Sequence, residues 1–252
     1  ALVKMIRLYL PIEELKGFDV IDTPGMNDPV LSRTQKTKEE MARCDVVFFL
    51  SRSGQFLDQS DIHLLANQLP QSGVKRMVLV AGQYDALLLD DGFNRASLAQ
   101  TEANLTKRIY NRASVEMGKL AEQRRQAGRE ENANLLVQLT NPILSSTFAH
   151  GFVKWPKDRW SEAMQHVYDN LVEMAEDEWN GYQWTKADWL RIASFEQLTQ
   201  AYQQARSDKQ QLLQCQRESI LPEAKLAFTD VLGCLKQSVE RRIHTLKTQD
   251  IA

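Results

Sequence analysis

Two runs of residues, DVVFFLS at 45–51 and RMVLVAG at 76–82, constrain this chain more than any other feature. Neither alternates apolar with polar. Both are apolar on the two faces, the pattern of parallel strands covered by helices on either side. Between them, DQSDIHLLANQLPQ reads as a helix that Asp58 or Ser60 starts and that Pro70 and Gly73 stop. Strand, helix and strand in that order make a βαβ unit and place the chain in the α/β class. Three more runs, VKMIRLYLP (3–11), GFDVID (17–22) and PILSS (142–146), extend the strand pattern. The stretch from 94 to 140, rich in Ala, Glu, Gln, Arg and Leu, predicts one or two helices inserted before the last strand.

After Gly151 the strand pattern ends. The segments 159–179, 194–220 and 222–249 carry apolar residues at steps of three and four, which makes them amphipathic helices. The expected organisation is therefore an α/β domain over 1–150 and a helical segment over 151–252. On the two last helices, Leu198, Tyr202, Leu212 and Leu213 on one, and Leu226, Val231, Leu235 and Val239 on the other, form stripes that should face each other or a partner chain. Trp155, Trp160, Trp179, Trp184 and Trp189 crowd the junction and are expected to pack the helical segment onto the α/β domain.

Charge and cysteine usage narrow the function. The formal net charge is −2 and basic residues are interspersed with acidic ones, so no patch signals nucleic acid or an anionic membrane surface. Cys44, Cys215 and Cys234 are odd in number and far apart, which suits a reducing cytoplasm better than a disulfide framework or a zinc site. His63, His150, His166 and His244 stand without metal-ligand spacing to one another or to cysteine. No apolar run approaches the roughly 20 residues that span a bilayer.

Chemistry enters at GFDVIDTPGMNDP, residues 17–29. Here an apolar run stops abruptly at Asp22-Thr23-Pro24-Gly25. An aspartate at the carboxyl end of a strand can hold a water of Mg²⁺, an ion that keeps several waters and takes few carboxylates. Pro24 stiffens the turn, and Gly25 lets a backbone N–H approach a terminal phosphate. A plain strand-to-loop turn would use the same residues.

The order and spacing of DVIDTPGMND, ARCDVVFFLSRSGQFLDQSDIHLL and VKRMVLVAGQYDAL resemble the GTPase domain of dynamin-like large GTPases of bacterial type. The resemblance implies a P-loop GTPase-type sheet, followed by an antiparallel helical neck and stalk. It implies GTP and Mg²⁺ as cofactors, with Asp22 as the aspartate that reaches magnesium through water and Gly25 beside the γ-phosphate. Thr23 and Pro24 complete that motif, and 26–40 would be a nucleotide-sensing switch. Asp85 would accept hydrogen bonds from the guanine N1–H and exocyclic amine, with Gln83 along the base, and Ser145 and Ser146 would lie where the family touches the base. An Asx turn after a strand is the other use for Asp85. The catalytic residue is not assigned. Self-association through the helices, and a peripheral position on a membrane for an otherwise cytoplasmic protein, follow from the resemblance alone.

Two departures stand out. The base-recognition motif, usually Asn or Thr, then Lys, any residue and Asp, reads Gly82-Gln83-Tyr84-Asp85. A phosphate loop, Gly, four residues, then Gly-Lys-Ser/Thr, does not occur in the 252 residues. The resemblance implies that this loop, the first strand and the first switch lie before residue 1, leaving a piece that is inactive alone. A non-hydrolysing scaffold with a degenerate GTPase fold is the alternative that Gly82-Gln83 favours.

Overall fold

The computed structural model describes residues 8–11, 13, 19–22, 39–67, 69, 74, 76–207 and 209–249. Three strands, β1 (Val46–Arg52), β2 (Arg76–Gly82) and β3 (Ile143–Leu144), form a parallel sheet in the order β1-β2-β3. Register runs from Val46 opposite Arg76 to Arg52 opposite Gly82, and β3 joins with Ile143 opposite Val80 and Leu144 opposite Ala81. Helix α1 (Gln59–Asn67) connects β1 to β2, as the apolar runs and the helix between them required. Strand β2 is central and mostly buried, whereas Leu50 on β1 is 70% exposed. Among the described residues no strand pairs with the other edge of β1.

Of the strands expected at 3–11 and 17–22, residues 3–7 and 17–18 lie outside the described residues. Their described members, 8–11 and 19–22, are exposed and form no strand, because a strand needs a neighbour's ladder and they have none.

Helices α2 (Tyr84–Gly92), α3 (Leu98–Gln126) and α4 (Glu130–Gln138) follow β2. Ser97 caps α3 by accepting a bond from the Gln100 N–H, and Leu98, Thr101, Leu105, Ile109, Ala113, Met117 and Leu120 form its buried stripe. The stretch between 94 and 140 is thus two helices, divided at Gly128, whose φ of 73° suits a residue without a side chain.

After β3 come α5 (Thr147–Lys154), α6 (Glu162–Glu178), α7 (Lys186–Ala193) and α8 (Phe195–Ser207). They share the core of the sheet: Leu171, Met174, Trp179, Trp189 and Ile192 belong to one buried cluster with Leu79, Leu88, Leu105 and Leu144. The Trp179 indole N–H donates to the Gly92 carbonyl at 3.1 Å, bolting α6 to the end of α2. Trp184 and Trp189 stack at 4.2 Å, while Trp155 remains 50% exposed. Trp179 thus joins the helical segment to the α/β part as expected, whereas the rings of Trp160 and Trp189 meet Phe152 and Tyr168, and Trp184 meets Trp189.

Helix α9 (Lys209–Gln249) differs from expectation. The expected segments 194–220 and 222–249 meet at Leu221-Pro222, yet Lys209–Gln249 form one helix with Pro222 inside it. Proline forfeits one backbone bond, and the long flanking runs of good helix formers carry the helix past it. The residues of α9 on either side of Pro222 thus belong to one helix, where two had been expected. Leu198 and Tyr202 are half-buried, but Leu226, Val231, Leu235 and Val239 are exposed, at 42 to 56%. The side chains of Leu212 and Leu213 lie outside the described residues.

Candidate functional site

In a parallel sheet, ligands bind beyond the carboxyl ends of the strands, and there three loops of this chain converge. The loop after β1 turns through Ser53–Gln55 and Leu57 into α1. Leu57 is fully buried with φ at 50°, a strained conformation for a branched side chain. Its N–H donates to the Ser51 hydroxyl at 2.9 Å, and its carbonyl accepts from the Arg112 guanidinium at 2.9 Å. Ser51 in turn donates to the Asp61 carboxylate at 2.5 Å, tying the end of β1 to the first turn of α1. Burial raises the Asp61 pKa, against the Ser51 bond, which lowers it.

The loop after β2 is one residue long. Gln83, exposed and left-handed at φ 59°, turns the chain directly into α2, whose first turn carries Tyr84 and Asp85. Asp85 is only 4% exposed, and burial pushes its pKa up. The Ser146 hydroxyl and the backbone N–H groups of Asp85 and Ala86 hold it back toward the ionised form. Tyr84, equally buried, has its phenol pKa raised by burial first and by Glu102 second.

The loop after β3 supplies Ser145 and Ser146. Ser146 is fully buried and caps α5, accepting from the Ala149 N–H at 2.9 Å. Ser145 sits among three elements. Its N–H donates to the Ala81 carbonyl at 2.9 Å, its carbonyl accepts from the Tyr84 N–H at 3.1 Å, and its hydroxyl donates to the Ala193 carbonyl at 2.7 Å.

The fold therefore brings together Gln83, Asp85, Ser145 and Ser146, four of the residues expected from sequence. Asp22 is described and solvent-exposed, whereas Thr23, Pro24 and Gly25, and most of the expected switch at 26–40, lie outside the described residues. Among the described residues no group of three or more His, Cys, Asp or Glu is placed to hold a metal ion. A single carboxylate suits Mg²⁺ only when phosphates and waters complete its shell. Also among the described residues, no helix is long and apolar enough to cross a membrane.

Sequence reasoning missed Ser51, Leu57 and Tyr84. The signal for Ser51 was a polar residue closing an otherwise apolar strand, ten residues before an aspartate in a helix's first turn.

Over 92 residues, 36% of its length, the chain is 32% identical to the "Dynamin-like protein 1" of Campylobacter jejuni subsp. jejuni serotype O:23/36 (strain 81-176). The match spans 13% of that protein. No protein-family model and no solved structure matches the chain.

Proposed function

We propose that the chain belongs to the nucleotide-binding part of a dynamin-like GTPase, and that Asp85 with the Ser145-Ser146 loop forms the guanine end of its site. The observation that carries this is the meeting of Asp85 and Ser146 at the carboxyl ends of adjacent parallel strands. A buried carboxylate fixed by a hydroxyl and two backbone N–H groups keeps acceptor capacity for one more donor edge. Guanine offers such an edge in its N1–H and exocyclic amine, and adenine does not. The partial match to a dynamin-like protein supports the same assignment. With Asp85 almost buried, a base gains access only when the loops around it part.

In this proposal Asp22 orients a hydrated Mg²⁺ against the nucleotide phosphates, and a phosphate loop outside the 252 residues supplies most of the phosphate contacts. Self-association through α9 and nucleotide-driven remodelling of a membrane or another large partner complete the proposal. The scaffold alternative keeps one supporting observation, the absence of Asn-Lys before Tyr84-Asp85.

Base exchange tests the assignment. In the full-length protein, GTP should bind with preference over ATP. Asp85→Asn presents an amide N–H where a carboxylate oxygen stood, so it should move preference toward xanthosine triphosphate, which carries an oxygen in place of the amine. A preference that ignores Asp85→Asn would remove Asp85 from the site.

A further inference from the structure

Ser145 is tied to more of the molecule than the base-side loop requires. Its two backbone bonds lock it to β2 and to the start of α2, so its position sets that of Asp85 and Ser146 on either side. Its hydroxyl then reaches 48 residues along the chain to the Ala193 carbonyl, the last residue of α7, in a buried bond. At that point the chain turns. Ser194 takes the left-handed conformation at φ 53°, its N–H closing α7 on the Leu190 carbonyl, and α8 starts at once. A second contact runs beside the first, since the His150 ring of α5 stacks on Phe195 at 3.8 Å. A third lies at the other face: Arg191 of α7 grips Glu102 of α3 through two bonds, at 3.1 and 2.8 Å.

We infer that Ser145 is a positioning residue that joins the base-side loop to the α7–α8 junction, so that base selectivity and the setting of this junction depend on each other. The inference rests on the guanine-site proposal above. The physical reason is that the Ala193 carbonyl stands at a helix end, where no intrahelical N–H remains to satisfy it. Buried and without the Ser145 hydroxyl, it would have to find another donor, and the cheapest route is movement of the junction. The backbone of Ser145 would follow, and with it Asp85. Coupling is reciprocal, so a base that fixes Asp85 and Ser146 also fixes the α7 terminus.

The test uses the full-length protein with GTP and inosine triphosphate, which lacks the exocyclic amine. Ser145→Ala should weaken GTP binding by about fivefold to tenfold, the value of one buried hydrogen bond and its orphaned acceptor. Inosine triphosphate should lose less, so the preference for GTP shrinks, and Ser145→Thr, which keeps the hydroxyl, should restore it. A general loss of stability would weaken both nucleotides alike. In the unmutated protein, GTP should also slow amide hydrogen exchange across residues 190–198, a readout that needs no variant. If GTP is preferred, Ser145→Ala is folded and the preference is unchanged, the link is refuted while the guanine site stands. Unchanged exchange over 190–198 on GTP binding refutes it equally. If the unmutated protein shows no preference for GTP, the guanine site itself falls and the inference with it.

Discussion

At the scale of single residues, the acidic groups at the strand ends separate by their surroundings. Asp61 and Asp85 are both driven toward the protonated form by burial, and each is held partly in check by a serine hydroxyl. A carboxyl whose folded pKa lies above its ordinary 3.8 contributes stability that is complete below that value and is lost as pH rises through the folded pKa. Asp61→Asn removes that titration while keeping an oxygen to accept from Ser51. The denaturation midpoint of the variant should therefore fall less than that of the unmutated protein as pH is raised from 3.8, and equal slopes would show that Asp61 is not a buried acid. Leu57 could not be recognised from sequence, because its importance comes from backbone geometry: a buried leucine at positive φ is visible only once the turn is formed. Asp85 was singled out only through the family resemblance, as the one residue of Gly82-Gln83-Tyr84-Asp85 that keeps the base-recognition motif.

At the scale of elements, the strands and most helices were readable wherever periodicity and burial agree. Both long strands lie within one residue of their apolar runs, and α3 obeys its stripe from Leu98 to Leu120. Ser97→Ala should cost about 1 kcal/mol through loss of the α3 cap, as measured by chemical denaturation. Long-range packing was not readable. Gly92 looks like an ordinary helix end, yet a Cβ there would lie 2.6 Å from the Met174 sulfur and 3.0 Å from the Trp179 ring. Met174 is itself buried, so it has little room to retreat. Gly92→Ala should therefore destabilise by about 1 to 3 kcal/mol by overpacking, although alanine is the better helix former. A neutral result would mean that α6 does not seat on α2 as described. The continuity of α9 through Pro222 was hidden because proline was weighed by its local penalty alone, whereas the other bonds of a 41-residue helix offset that penalty without removing it.

At the scale of the whole molecule, a sheet and helices share one core, and a long helix leaves it with apolar residues uncovered. Phe228, Leu232, Leu235 and Val239 are 65, 50, 56 and 55% exposed at steps of four, three and four residues, a spacing that keeps them on one face. Such a stripe favours association, and the proposed self-assembly gives it an occupant. Sedimentation of the full-length protein should show mass rising with concentration, and Leu235→Glu should lower it; a monomer at all concentrations would contradict this part of the account. From sequence, the expected stripe ran through Leu226, Val231, Leu235 and Val239 and so shared only Leu235 and Val239 with this one, and periodicity records a face and not what covers it.

Nucleotide binding is the central claim, and calorimetry with GTP and Mg²⁺ on two proteins tests it most directly. The 252 residues contain no phosphate loop, which would provide charge-assisted bonds of about 1.5 to 3 kcal/mol each. Without even three of them, affinity drops by several powers of ten, so the isolated chain should show no binding at micromolar nucleotide and no phosphate release above background. The full-length protein should bind GTP with Mg²⁺ and lose turnover when Asp22 becomes Ala. Tight GTP binding by the isolated chain, or a full-length protein that binds no GTP, would contradict the account.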